Sequence, residues 1–230
     1  MGIAPDTDLA LPVTLIGDVV DSRRFAGSDD RKRLQRAIRR ALRDVGDELE
    51  AVRALEPTIG DEFQGVFGSF AAAVRATLLL RLQLLGDVGA DCRFGIGIGD
   101  VTVLDGTRAP VSQDGPGWWA ARAAIERAES DAAAKRTSFI RTRASTWRSD
   151  SVPPPQTDAM ANAFLTCRDS IVGGMNDRGR RMLLGILRGR SQRELAAAEG
   201  ITQGTVSKSL AGSGAYVVVA AQAELEGGAR

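Results

Sequence analysis

Residues 13–20, VTLIGDVV, form a mostly apolar run, the pattern of a strand buried on both faces, and the run ends at the charged turn DSRRF. After GSDD, a ready helix start, apolar residues recur at Leu34, Ile38, Leu42, Val45, Leu49 and Val52. That spacing predicts a long amphipathic helix with a basic outer face. In PTIGDEFQGVF, residues 57–67, β-tolerant residues flank the Gly60-Asp61 step and predict a hairpin over 52–67 with a tight turn. Ser69 then caps a second helix whose inner stripe is Phe70, Val74, Leu78, Leu82 and Leu85. Residues 92–104, CRFGIGIGDVTVL, alternate as a strand and put Gly95, Gly97 and Gly99 on one side of the pleat, where another backbone or a ligand comes close. Residues 114–130, DGPGWWAARAAIERAES, open with turn residues and continue as an Ala-rich helix.

The order strand, helix, hairpin, helix, strand, helix predicts an α+β fold close to the ferredoxin-like βαββαβ plan, with helices on one face of an antiparallel sheet. RSDSVPPPQTD, 148–158, is a polar, proline-rich break. It divides the chain into a domain over 1–150, a linker over 151–157 and an all-α domain over 158–230. Within the last, SQRELAAAEGITQGTVSKSL has the pattern of a helix-turn-helix. Leu195, Ala196, Ile201, Val206 and Leu210 supply packing, Gly200 the turn, and Ser191 and Thr202 the N-caps. Gln203, Thr205, Ser207 and Lys208 are then the groups that reach base edges and phosphates of double-stranded DNA. Arg178, Arg180, Arg181, Arg188, Arg190 and Arg193 form a local basic cluster suited to phosphate contact. The alternative is a helical hairpin used for packing or protein contacts. The apolar AYVVVAAQAEL that follows packs on its own domain or forms part of a dimer contact.

Composition narrows the chemistry. The 30 basic and 29 acidic residues leave a net charge of +1, so any DNA contact comes from a local patch. With no histidine in the chain, Ser-His-Asp and Cys-His catalysis and histidine-ligated metals are excluded, which leaves carboxylates, Lys, Arg or a hard cation. Cys92 and Cys167 lie far apart in apolar surroundings and are expected as buried small hydrophobes in a reducing cytosol. The N-terminal stretch lacks the basic region of a signal peptide and no apolar run reaches membrane-spanning length, so a soluble cytoplasmic protein is expected.

Asp18 falls near the end of the first strand and Asp61 at the hairpin tip, which a ferredoxin-like sheet places on neighbouring strands. Such a pair can hold Mg²⁺ or Mn²⁺ against a nucleotide's phosphates. Asp61 read alone is also an ordinary turn residue. Arg23, Arg24 and Arg122 are either phosphate ligands or solvated surface groups.

LIGDVVDSRRF, PTIGDEFQGVF with its following helix, RFGIGIGDV and the helix start GPGWWAAR resemble, in that order, the motifs of class III nucleotide cyclases. With the C-terminal helix-turn-helix the chain resembles the SatD family over most of its length. The resemblance implies Asp18, Asp61 and the Val19 backbone as metal ligands, and Arg122 as the arginine that stabilises a transition state if the protein is an enzyme. Ser22, Arg23, Gly60 and Trp118 complete the nucleotide-binding set. Two departures stand out. Pro57 occupies the position of the cyclases' base-reading Lys or Glu and carries no polar side chain or N–H. Trp118 replaces their ribose-orienting asparagine, either to stack on a base or as a core residue. Cyclases of this class build each site from two chains, so a homodimer is expected. The resulting expectation is a DNA-binding regulator that senses a nucleoside triphosphate or signalling nucleotide. The alternatives are an active nucleotidyl cyclase or nucleotidyltransferase, and a degenerate palm kept as a dimerisation scaffold.

Overall fold

Strand β1 (Val13–Val19) lies at the centre of the sheet, and its alternate residues enter two different cores. Val13, Leu15 and Val19 pack with the helices of one face, while Ile16 joins Val66, Trp118, Ala121 and Ile125 on the other. Burial on both faces is the reason the run is apolar without alternation. The computed structural model describes residues 11–107, 112–148 and 155–227.

After β1 come α1 (Ser28–Glu48), β2 (Arg53–Pro57), β3 (Phe63–Phe67), α2 (Phe70–Val88) and β4 (Cys92–Ile98). A small two-stranded ribbon follows, β5 (Thr102–Asp105) with β6 (Ser112–Asp114), then α3 (Pro116–Ala133) and β7 (Thr142–Thr146). The main sheet has the order β2-β3-β1-β4-β7; β1 is antiparallel to both neighbours and β7 joins β4 in parallel. The expected βαββαβ order is thus present through β4, within a five-stranded mixed sheet.

Several expectations need correction. The helices do not share one face: α1 and α2 cover one, and α3 lies on the other, drawn in by the glycine row of β4. A Cβ at Gly95 would stand 2.2 Å from the Ala121 carbonyl oxygen, and one at Gly97 would stand 2.1 Å from that of Gly117, so only glycine lets helix and sheet backbones approach. Thr14 Oγ1 donates toward the carbonyls of Gly97 (3.1 Å) and Gly117 (2.8 Å), pinning the start of α3. The strand expected over 92–104 breaks after Ile98, where the Gly117 N–H takes the Asp100 carbonyl at 2.9 Å. Helix α1 stops at Glu48, four residues early, because Glu50 enters the left-handed region (φ 47) and leaves Val52 63% exposed.

Helix α2 begins at the Ser69 cap, whose Oγ accepts the Ala72 N–H. It is buried almost all round from Ala73 to Leu84 rather than along one stripe. The sheet covers one side, and α5 (Asp177–Leu187) and α8 (Ala215–Leu225) cover another. Between them run α6 (Gln192–Glu199) and α7 (Gln203–Gly212). The buried apolar residues of α5–α8, among them Leu183, Leu195, Val206 and Val218, are continuous with the core around α2. The AYVVVAAQAEL segment therefore packs within its own chain, and Gln222 Nε2 donates to the Ala71 carbonyl at 3.2 Å.

Most of the linker expected at 151–157 lies outside the described residues; Gln156 already begins α4 (Gln156–Gly174). This helix lies along the free edge of β7 and satisfies its backbone. The Ala144 N–H donates to Asn162 Oδ1 (3.0 Å), that of Thr146 to Asp158 Oδ2 (2.9 Å) and that of Thr142 to Asp169 Oδ2 (2.7 Å). An open sheet edge is thereby closed by side chains instead of another strand. Cys92 is buried as expected, but Cys167 is exposed on α4. Among the described residues no helix is long and apolar enough to cross a membrane.

Candidate functional site

Pairing of β1 with β3 ends at Gly17 opposite Phe63, whereas pairing with β4 continues to Val19 opposite Cys92. On the β3 side, Asp18 and Val19 therefore run past the ladder, beside the hairpin loop. That loop is folded on itself: the Thr58 N–H donates to the Glu62 carbonyl (2.8 Å), and Gln35 Nε2 of α1 holds the Gly60 carbonyl at 2.8 Å. Gly60 takes φ +69, a conformation glycine adopts without strain, and so sets the direction of the Asp61-Glu62 pair that follows.

The Asp18 side chain is two-thirds buried. Its Oδ2 accepts a hydrogen bond from Arg93 Nη1 at 3.1 Å, while Oδ1 is buried without a partner. Burial pushes the Asp18 carboxyl above its ordinary range. Arg93 opposes that shift, and the nearby carboxylates of Asp61, Glu129 and Glu62 add to it. Asp61 is thus among the carboxylates whose charge acts on Asp18, with Glu129 and Glu62. Arg93 Nη1 also reaches Glu129 at 3.2 Å, and its Nε is buried without a partner.

Arg122, on the first turns of α3, forms a two-pronged pair with Glu62: Nη1 to Oε2 at 2.8 Å and Nη2 to Oε1 at 2.9 Å. The hydrogen bond to Glu62 raises the Arg122 guanidinium further; burial opposes this, and Glu62, Glu126 and Asp18 contribute through their charge. Arg122 therefore meets the carboxylate end of β1 within a single chain. Sequence reasoning passed over Glu62 as the arginine's partner. It missed Arg93 altogether. A pairing across sixty residues, from α3 to the hairpin, leaves no periodic trace.

The other predicted residues scatter. Ser22 and Arg23 lie in a single helical turn, Ser22–Phe25, entered through Asp21 at φ 52. Arg23 is exposed, whereas Arg24 is drawn away, donating to the Gly89 carbonyl and lying 4.9 Å over the Phe25 ring. Trp118 is only 8% exposed and packs against Ile16, Val66, Ala121 and Ile125, the core placement of its two readings. Pro57 ends β2 opposite Phe63.

Among the described residues there is no group of three or more His, Cys, Asp or Glu side chains set to hold a metal ion. Mg²⁺ needs fewer protein ligands, since it keeps waters and uses one or two carboxylates together with phosphate oxygens. Asp18 Oδ1, with Asp61 nearby, suits that role. A cation there would offset the burial and repulsion that raise the Asp18 carboxyl.

At the other end of the chain, Ser191 forms a complete capping box with Glu194, Gly200 takes φ 64, and Thr202 caps α7. Gln203, Thr205 and Lys208 are exposed and Ser207 is half-buried. Of the basic cluster, Arg178 and Arg181 are paired to Glu199, Arg188 to Glu48 and Arg180 to Asp177. These four arginines are committed to holding helices together, which leaves Arg190 and Arg193 exposed without a carboxylate partner among the described residues.

Comparison with solved structures finds guanylyl cyclase domains. The catalytic core of a rhodopsin-guanylyl cyclase with converted specificity, in complex with ATPαS, is 17% identical over 51% of this chain and 72% of that chain, with a TM-score of 0.41. The monomeric guanylyl cyclase domain of the RhoGC fusion protein from the aquatic fungus Blastocladiella emersonii is 15% identical over 51% of this chain and 75% of that one, TM-score 0.40. A double mutant of the same fungal domain gives 16%, 51%, 74% and 0.42. No curated protein matches the sequence. The sequence model of the SatD family, in contrast, matches residues 12–225, and the chain belongs to that family.

Proposed function

We propose that the end of β1 is a nucleotide site that takes a divalent cation, Mg²⁺ or Mn²⁺, together with the phosphates of a nucleoside triphosphate or signalling nucleotide. We propose further that the chain is a cytoplasmic regulator in which α6 and α7, read as a helix-turn-helix, bind double-stranded DNA. The observation that carries the first part is the buried, unpartnered Asp18 Oδ1 beside Asp61. An anionic oxygen in that position is costly unless a cation or proton meets it. The cation supplies charge neutralisation between the carboxylates and the phosphate oxygens. Asp18 and Asp61 bind it, with the Val19 backbone as a further oxygen. On this reading Ser22 and Arg23, in the turn that follows β1, and Gly60, in the hairpin loop, take the phosphates, and Arg122, once released by Glu62, is available to phosphate oxygens.

For the DNA-binding part, Gln203, Thr205, Ser207 and Lys208 on α7, flanked by Arg190 and Arg193, supply small polar and cationic contacts, and a homodimer would pair two half-sites. Ligand-dependent DNA affinity then follows if the two arrangements of the chain differ in nucleotide affinity. A second reading, a metal-dependent nucleotidyl cyclase, is favoured by one observation: Arg122 already stands at the same carboxylate cluster.

The deciding experiment incubates the purified chain with ATP or GTP and Mn²⁺, alongside Asp61→Ala, and measures both equilibrium binding and product by chromatography. Metal-dependent binding of intact nucleotide, lost in the variant, supports the sensor. A cyclic or linked product lost in the variant supports the enzyme. Equal behaviour of both proteins sinks the site.

A further inference from the structure

The outer face of α1 carries charge that neither part of the proposed function uses. Arg31, Lys32, Arg33, Arg36, Arg39, Arg40 and Arg43 give thirteen consecutive residues a charge of +7 with no acid among them, so the remainder of a chain of net +1 carries −6. All seven are exposed, while Leu34, Ala37, Ile38, Ala41, Leu42 and Val45 are buried on the opposite side. At 3.6 residues per turn, Lys32, Arg36, Arg39 and Arg43 fall at i, i+4, i+7 and i+11. That is one straight row about 16 Å long, facing directly away from the core.

Some of this charge is answered within the molecule. Arg40 pairs with Asp87 at 2.6 Å, Arg33 donates to the Asp87 carbonyl at 3.2 Å, and Lys32 lies 3.7 Å from Asp29. Arg36, Arg39 and Arg43 have no ion pair among the described residues. Asp44 accepts from Gln83 and, with Asp47, marks the end of the row. Like charges three and four apart weaken a helix. Arg36, Arg39 and Arg43 therefore repel one another along α1, and an external anion would relieve that repulsion.

We propose that this row binds the phosphate backbone of duplex nucleic acid, without sequence preference and independently of α7. Three features choose that occupant. Six of the seven cations are arginines, whose fork matches phosphate oxygens. The apolar side of α1 is entirely used by the core, so the helix has none to insert into a lipid surface. The exposed face offers no aromatic ring on which single-stranded bases would stack. A straight rod of cations fits a regular, rigid row of phosphates.

The test titrates the full-length chain against a labelled random-sequence 30-bp duplex over a range of salt concentrations. Beside it run the triple variant Arg36→Gln, Arg39→Gln, Arg43→Gln and a double variant Arg190→Gln, Lys208→Ala. Glutamine keeps helix propensity, and thermal melting checks the fold. Each neutralised phosphate contact contributes about 0.9 to the salt slope, so the triple variant should flatten the plot of log K against log salt by roughly 2.7. Affinity at low salt should drop at least tenfold. The double variant removes two cations that the proposed function gives to DNA, so it should flatten the slope by at most about 1.8, and its effect should add to that of the triple variant when the two are combined. An unchanged slope in the triple variant overturns the proposal. So does loss of random-duplex binding in the double variant alone, or a triple variant whose only loss is binding to phosphatidylserine vesicles.

Discussion

At the residue scale the site is defined by a carboxylate in an unfavourable place. Asp18 has its carboxyl raised from 3.8, mainly by burial. A raised acid means the folded chain holds a proton that the unfolded chain has released, so stability falls as pH rises from about 4 through the raised folded value. Asp18→Asn removes that loss. In urea unfolding the variant should be more stable than wild type at neutral pH, and the difference should fade as pH drops well below 3.8, where the aspartate is protonated in both the folded and the unfolded chain. The same substitution should abolish any stabilisation by Mn²⁺ with nucleotide; a variant that is less stable at neutral pH would show Asp18 to be a structural partner of Arg93. Arg122 makes the contrasting case. Its side chain is 46% exposed, and surface pairs of this kind contribute about 0.2–1 kcal/mol. Arg122→Ala should change unfolding free energy by no more than that while weakening nucleotide binding at least tenfold, readable by calorimetric titration.

At the scale of elements, glycines separate what sequence revealed from what it did not. The row in β4 was legible as a close approach, since alternation put Gly95, Gly97 and Gly99 on one side, but pattern could not say whether a helix or a ligand arrived. A helix did. Gly97→Ala would place a Cβ 2.4 Å from the Ala121 nitrogen, backbone against backbone, where nothing flexible can give. We expect a loss at the upper end of the ~1–3 kcal/mol typical of overpacking. Gly86, in α2, has nothing within 4 Å of an added Cβ, so Gly86→Ala should stabilise by about 0.4–1 kcal/mol. Denaturant midpoints of the two variants should move in opposite directions. Element identities were legible because periodicity is local: β1, the hairpin, both caps of α6 and α7, and the stripe of α1 all follow from neighbours in sequence. The end of α1 was not, because a left-handed Glu50 carries no signature of its own. Nor were Glu62 and Arg93 as site residues, since their partners lie on other elements.

At the scale of the whole molecule, the polar side chains of α4 decide how the C-terminal helices belong to the sheet. Asp158, Asn162 and Asp169 are polar residues of a helix, yet each is at most 7% exposed and each hydrogen-bonds the edge of β7. Behind them Arg168 is fully buried and donates to the Val74 carbonyl, Thr77 and Thr142, tying α4 to α2 and the sheet. Burial lowers its guanidinium, and the charge and hydrogen bond of Asp169 beside it oppose that shift. A helix lying on a sheet buries roughly one side, and the burial of α2 all round is completed by α5 and α8. The proline-rich break at 148–158 therefore marks a change of pattern along the chain, while the packed core runs across it. A fragment ending at residue 150 would expose the outer side of α2 and leave the β7 edge unpaired, a template for association. It should be found in oligomers or aggregates by light scattering, and the intact chain should unfold in a single transition monitored by far-UV and tryptophan signals together. A monomeric fragment with a sharp transition of its own would mean that the sheet stands without the C-terminal helices. Any nucleotide effect on DNA would then have to pass through a dimer interface instead of through α2 and α4.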